Sequence, residues 1–326
     1  MALCPIKKVV YLVLAIFLFS ITGCRQDRNS NTRRTDGKIN ITTTIFPAYD
    51  FVRQITDSQI LSERVNLNML LPPGSESHSF EPSPRDIIAI QNSDIFIYIG
   101  GETDSWVNRI LQSMNTDNMK ILAMLDTVEL VEEEIVEGME SAAGAADDDD
   151  IEYDEHVWTS PRNAILIVSA ITGLLCEADP ANSDVYRQNA ASYIKELEQL
   201  DTAFYEVVAP AKRKTIIFAD RFPFRYFVKD YGLSYFAAFP GCSTETEPSA
   251  ATVAFLIDKV RAERIPVVFH IELSNERMAN TVSGETGAKK LLFHSCHNIT
   301  RRDFDAGLGY LELMRRNVEN LREALH

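Results

Sequence analysis

From Ile39 onward, short apolar runs rich in Ile, Val and Phe alternate with longer stretches of helical period. Apolar runs without polar alternation are the signature of strands covered on both faces. The pattern predicts strands at Ile39–Thr43, Val65–Leu70, Ile95–Ile99 and Lys120–Ala123, with helices at Tyr49–Ile55, Pro84–Asn92 and Ser105–Met114. Ser83 is placed to cap the second of these helices, Pro84 suits its first position, and Asp86 complements its dipole. A helix follows Ser160-Pro161-Arg162-Asn163 as far as Leu175 and is ended by Asp179-Pro180. A longer one over Asp184–Val208 repeats Tyr186, Ala190, Tyr193, Leu197, Leu200 and Phe204 at steps of three and four. The second half repeats the plan, with strands at Thr215–Phe218, Ser234–Phe239, Val267–Ile271 and Lys290–Phe293. Its helices are expected at Phe222–Tyr231, Ser249–Glu263, Ser274–Ser283 and Phe304–Leu325. The fold class is therefore α/β, with two βα-repeat lobes, each built on a mostly parallel sheet, joined by a long helix. The boundaries fall at 39–182 for the N-terminal lobe, 183–210 for the linking helix and 211–326 for the C-terminal lobe.

The start of the chain follows a different pattern. Lys7 and Lys8 precede an apolar run from Val9 to Phe19, and Ile21-Thr22-Gly23-Cys24 follows. The run is shorter than the roughly 20 residues that span a bilayer, so residues 1–23 read as a lipoprotein signal peptide. Cys24 is then the lipidated residue, residues 24–38 form a polar tether, and the mature chain is extracytoplasmic and anchored to the membrane. Removing residues 1–23 takes two lysines and no acids, which moves the net charge from −15 to −17. So acidic a chain is a poor partner for nucleic acid. Cys176, Cys242 and Cys296 remain, an odd number that implies no full disulfide framework; they are buried thiols, or Cys242 and Cys296 form one bridge. Residues Glu129–Glu155 carry 13 acidic side chains and no basic ones. Such a segment is expected to be a solvated loop, or a collector of divalent cations ahead of His156.

Of six histidines, three fall at strand-to-loop junctions, where open α/β sheets place their ligands. His78 lies in LLPPGSESHSFEPSPRD, His156 in DEHVW, and His294 directly after the strand Lys290–Phe293. Three neutral imidazoles make a zinc-type donor set. The same set with an open fourth position also describes catalytic zinc. No HExxH, GxSxG or GxxxxGK pattern accompanies it, which counts against an enzyme.

PPGSESHSFEPSPRD and DEHVWTSPRNA resemble two long motifs of the metal-specific solute-binding lipoproteins of bacterial ABC importers, the zinc-uptake and manganese-uptake family (ZnuA-like and TroA-like proteins). The resemblance covers essentially the whole mature chain. It implies a protein that captures a divalent metal and delivers it to an importer permease, with His78 as first ligand and His156 as second. Alignment of FRYFVKDYGL puts Arg221 where a histidine or glutamate ligand is usual, and a guanidinium has no lone pair to give. Alignment of GETGAKKLLFHSCH puts His294 where an aspartate ligand is usual. The expected site is thus His78, His156 and His294, with Asp220 as the candidate fourth donor and His297, Glu272 or water as alternatives. Glu81 and Glu272 are the expected carboxylates that orient an imidazole. Three imidazoles favour Zn²⁺ over Mn²⁺. A zinc-dependent hydrolase on the cell surface and a metal-binding adhesin are the competing readings.

Overall fold

The computed structural model describes residues 37–56, 63–77, 79–139, 152–243 and 247–326. The signal peptide with Cys24, most of the tether, His78 and the middle of the acidic segment lie outside the described residues.

Each half of the chain forms a four-stranded parallel sheet. In the first, β1 (Ile39–Thr43) lies between β2 (Val65–Met69) and β3 (Ile95–Tyr98), with β4 (Lys120–Ala123) outside β3, giving the order β2-β1-β3-β4. In the second, β5 (Thr215–Phe222) lies between β6 (Ser234–Pro240) and β7 (Val267–His270), and β8 (Lys289–Leu292) completes the order β6-β5-β7-β8. In both sheets the inner strands are almost wholly buried, as their unbroken apolar runs require.

The helices form where their local signals place them. α1 (Phe46–Thr56) buries Phe46, Phe51, Val52 and Ile55. α2 (Pro84–Gln91) starts with a reciprocal capping box, in which the Asp86 N–H donates to Ser83 Oγ and the Ser83 N–H donates to Asp86 Oδ2 at 2.8 Å. Ser83→Ala should cost about 1 kcal/mol of stability, read as a shift in the urea midpoint at unchanged slope. α3 spans Ser105–Gln112 and α4 Pro161–Ala178. The long helix α5 (Ser183–Val208) buries all six residues of its predicted stripe. One hydrophobic core then runs from β1 and α1 through α4 and α5 to β5 and β7, with no break between the lobes.

Several boundaries differ from the sequence-based expectation, most visibly in the second half. The helix expected from Phe222 begins only at Arg225, as α6 (Arg225–Tyr231), because Phe222 precedes Pro223 and is pushed to an extended conformation as the last residue of β5. α7 (Ala250–Glu263) is as expected, whereas α8 runs over Arg277–Thr286. The last helix is divided into α9 (Arg301–Asp305) and α10 (Tyr310–Leu325). Gly307, at φ +77°, turns the chain between them, and Asp50 accepts the first N–H of α10 at 2.7 Å.

The described ends of the acidic segment are also better ordered than their composition suggests. Glu132 and Tyr153 form an antiparallel bridge, and Val131 and Met139 are buried. Arg225 pairs with Glu134 at 2.6 Å and Lys259 with Glu137 at 3.2 Å. Pairing of the two ends delivers Asp154, Glu155 and His156 into the interior.

Candidate metal centre

The carboxyl ends of the strands and the loops after them enclose a cleft of about 20 Å³. Its polar lining includes Glu76, His156, Arg221, Glu272 and His297.

His156 is delivered by a rigid turn. Its backbone N–H donates to Asp154 Oδ1 at 2.8 Å, and its carbonyl accepts from Thr159 Oγ1 at 2.8 Å. Burial opposes protonation of this imidazole, but Asp154 at 3.4 Å, with Glu155 and Glu133 behind it, outweighs burial and holds its pKa above the ordinary histidine value. Gly241 closes over the ring: a Cβ there would stand 3.1 Å from His156 Nδ1 and 3.0 Å from the Phe222 carbonyl, so a side chain would press on both.

His297 comes from the loop after β8, and its ring centroid lies 5.3 Å from that of His156. Trp158, fully buried, touches both rings and donates its indole N–H to the Ser295 carbonyl at 2.8 Å. Ser77 Oγ sits 3.2 Å from His297 Nδ1, so the residue next to His78 in sequence orients this imidazole. Glu272 accepts from the His297 N–H at 3.1 Å, the Ser295 N–H at 2.7 Å and the Ser295 hydroxyl at 2.6 Å. Cys296, just before His297, takes a left-handed conformation at φ +60°, an uncommon one for a side-chain-bearing residue and one met at functional sites.

The sequence-predicted residues are distributed differently from expectation. His294 does not reach this cleft. It lines a separate cavity of about 240 Å³ with His270, Asp303 and Arg316. Its Nδ1 accepts the Cys296 N–H at 2.9 Å, and Asn317 binds both its N–H and its carbonyl. Burial lowers its pKa and keeps it neutral there. Asp220 is likewise directed elsewhere: it accepts the Ile271 N–H at 3.2 Å and the Arg221 N–H at 2.9 Å. The register irregularity between Phe218 and Arg221 in the β5–β6 pairing aims Arg221, not Asp220, into the cleft. Glu81 is exposed and lies outside the cleft lining, whereas Glu272 is a buried wall of it. All three described cysteines are free thiols, and burial raises the pKa of Cys242 and Cys296 far from the thiolate range. Among the described residues no group of three or more His, Cys, Asp or Glu side chains converges closely enough to hold a metal; His156 and His297 are the two imidazoles that meet in the cleft. The HxxH spacing of His294 and His297 was the one signal in the sequence that could have drawn attention to His297 as much as to His294.

Two parallel-sheet lobes that bring imidazoles to a cleft at their strand ends form the architecture of a solute-binding protein. The sequence pattern of the family described as "Zinc-uptake complex component A periplasmic" matches residues 41–324. The chain belongs to this family, the ZnuA family. It is 31% identical over 321 residues to the zinc-binding lipoprotein AdcA of Streptococcus pneumoniae (strain ATCC BAA-255 / R6), covering 97% of this chain and 61% of that protein. It is 29% identical over 317 residues to the high-affinity zinc uptake system protein ZnuA of Bacillus subtilis (strain 168), covering 97% of each. The crystal structure of the Zn(II)-bound ZnuA-like domain of Streptococcus pneumoniae AdcA matches 89% of this chain and 99% of that domain, at 30% identity and a TM-score of 0.72. The chain thus spans about three-fifths of the AdcA relative and nearly all of its ZnuA-like domain.

Proposed function

We propose that this protein is an extracytoplasmic solute-binding protein, lipid-anchored at Cys24, that captures zinc and hands it to the permease of an ABC importer. The observation that carries the reading is the meeting of His156 and His297 in a buried cleft beside residues 75–77. The names of its relatives, zinc-binding lipoprotein and zinc uptake protein, support the choice of cargo. Zinc is held by His156 and His297, with His78, the next residue after the cleft-lining Ser77, as the third imidazole. Nitrogen donors favour zinc over manganese, which prefers oxygen. Glu272 and Ser77 hold the His297 loop in place, and His294, Asp220 and Glu81 take no part in ligation.

Elemental analysis of the purified chain, followed by zinc and manganese titration of wild type and His78→Ala, tests this. Stoichiometric zinc that is bound more tightly than manganese and weakened in His78→Ala is the expected result. A protein that binds neither ion tightly is not a metal carrier.

Capture should also depend on pH in a defined direction. A ligating imidazole must be unprotonated, and the raised pKa of His156 means that its proton competes with zinc from above the ordinary value of about 6.5. Zinc affinity should therefore begin to fall near neutral pH as acid is added. A titration series that stays flat down to about pH 6 would contradict the role of His156.

A further inference from the structure

The cavity of about 240 Å³ that receives His294 lies between the ends of β7 and β8 and one face of α10. Two histidines line it, and both are more than nine-tenths buried: His270 is 9% exposed and His294 5%. Backbone contacts fix their tautomers in opposite senses. His270 Nδ1 lies 3.1 Å from the Ile271 carbonyl, which can only accept, so this nitrogen carries a proton and Nε2 of the neutral ring keeps its lone pair. His294 Nδ1 accepts the Cys296 N–H at 2.9 Å, so its neutral ring carries the proton on Nε2. Neither Nε2 has a hydrogen-bond partner among the described residues. The cavity therefore presents one buried acceptor and one buried donor that its own walls do not satisfy, which a native interior rarely tolerates.

The charges are divided in the same way. Arg316 stands near His294 and spends only Nη2 on Glu312, at 2.8 Å. Glu276 stands near His270 and accepts from Lys290 through Oε2 only. Asp303 is paired with Arg302 at 3.4 Å, and the oxygens of Glu272 are taken by the loop of Ser295 and His297. Most of the lining charge is thus balanced by its own partners, and a ligand of a single sign would leave one end unmatched. Leu273, Leu292 and Leu313 supply apolar wall. Leu273 and Glu276 are both left-handed, at φ +59° and +56°, a state uncommon in residues with side chains and one that clusters at ligand clamps. The side chains of Glu276 and Arg316 are 43% and 56% exposed and form an entrance.

We propose that this cavity binds a free α-amino acid with an aliphatic side chain, whose carboxylate is taken by Arg316 and the His294 Nε2–H and whose ammonium is taken by His270 Nε2 and Glu276. The leucines enclose the side chain. A cavity of about 150 Å³ already holds a benzene-sized molecule, so the space suffices. The site shares only the wall Ile271–Leu273 with the metal cleft, needs no metal, and does not depend on the zinc-capture reading.

The test is isothermal titration of the full mature chain, freed of metal by chelation and dialysis, with L-alanine, L-valine and L-leucine. 3-Methylbutanoate, which lacks the ammonium, and 2-methylpropylamine, which lacks the carboxylate, are the controls. At least one of the three amino acids should bind, with both controls at least about tenfold weaker, as loss of a charged hydrogen bond requires. Arg316→Gln, on the surface, and His294→Asn, which keeps an acceptor for the Cys296 N–H but loses the Nε2–H, should each weaken binding by about 10- to 100-fold. Arg316→Gln carries the test if His294→Asn does not fold, and its zinc affinity should equal that of wild type. Failure of all three amino acids to bind at millimolar concentration overturns the proposal. A control that binds as well as the amino acids overturns recognition of both charges, and wild-type affinity in the folded variants shows that the ligand sits elsewhere and overturns the site. None of these failures touches zinc capture, which the metal titrations test separately.

Discussion

Replacing His297 by alanine should weaken zinc binding by more than 100-fold, whereas replacing His294 should leave it within a few-fold of wild type. The first figure follows from the proposed role of a direct ligand, since partners that merely orient a ligand are already worth about 10- to 100-fold. The two residues are three positions apart in one loop, yet their surroundings are different. The His297 ring lies against His156 and Trp158 in the cleft, and the His294 ring lines another cavity. His294→Ala should instead lower stability. It leaves the buried Cys296 N–H without its acceptor, at a cost of about 1–3 kcal/mol. Parallel zinc titrations and urea melts of the two variants separate the roles. If zinc affinity collapses in His294→Ala and survives in His297→Ala, the site has been assigned to the wrong histidine.

The second large effect is on the fold itself. Trp158→Ala should destabilise the protein by about 3–5 kcal/mol, the range for removing a fully buried large aromatic side chain. Against a typical total of about 5–15 kcal/mol this is a large share. Trp158 is more than filler. Its indole N–H reaches Ser295, its carbonyl accepts from the Tyr310 hydroxyl at 2.6 Å, and its ring packs against both His156 and His297. Trp158→Phe keeps much of the volume but leaves the Ser295 carbonyl without its donor, so an intermediate loss of about 1–3 kcal/mol is expected. Urea midpoints of the metal-free proteins measure both. A loss below about 1 kcal/mol in the alanine variant would mean that the site collapses around the missing ring and that Trp158 is not the brace described here.

Zinc should partly mask both stability losses. An ion that binds only the native state stabilises it by mass action, so comparison must be made after chelation. A variant that has lost a ligand gains less from added zinc than one that has lost only packing. This gives an independent way to sort His297→Ala from Trp158→Ala.

Much of the architecture was readable before any coordinates because it rests on local rules. Unbroken Ile-, Val- and Phe-rich runs alternating with helical periods give parallel strands and crossover helices, and Ser83, Pro84 and Asp86 mark a helix start by their own hydrogen bonds. The stripe of α5 was readable because a regular helix carries its burial pattern in its spacing. His156 was readable because its neighbours in DEHVWTSPRNA form an unusual local sequence, and the turn they make is also local.

The remainder of the site depends on irregular backbone, where spacing says nothing about direction. Whether Asp220 or Arg221 enters the cleft turns on one irregularity in the pairing of β5 with β6, and a single-residue slip reverses which side chain faces in. Whether His294 or His297 faces His156 turns on a loop with a left-handed residue at Cys296, held by Glu272 and Asn317 from elements distant in sequence. The chain alone thus determined the two-lobed α/β plan and the family motifs around His78 and His156. The tertiary structure decided which histidine joins His156, that a fixed positive charge stands beside them, and that Glu272 supports the loop. Those choices depend on contacts between segments with no common periodicity, and only the folded chain brings such segments together.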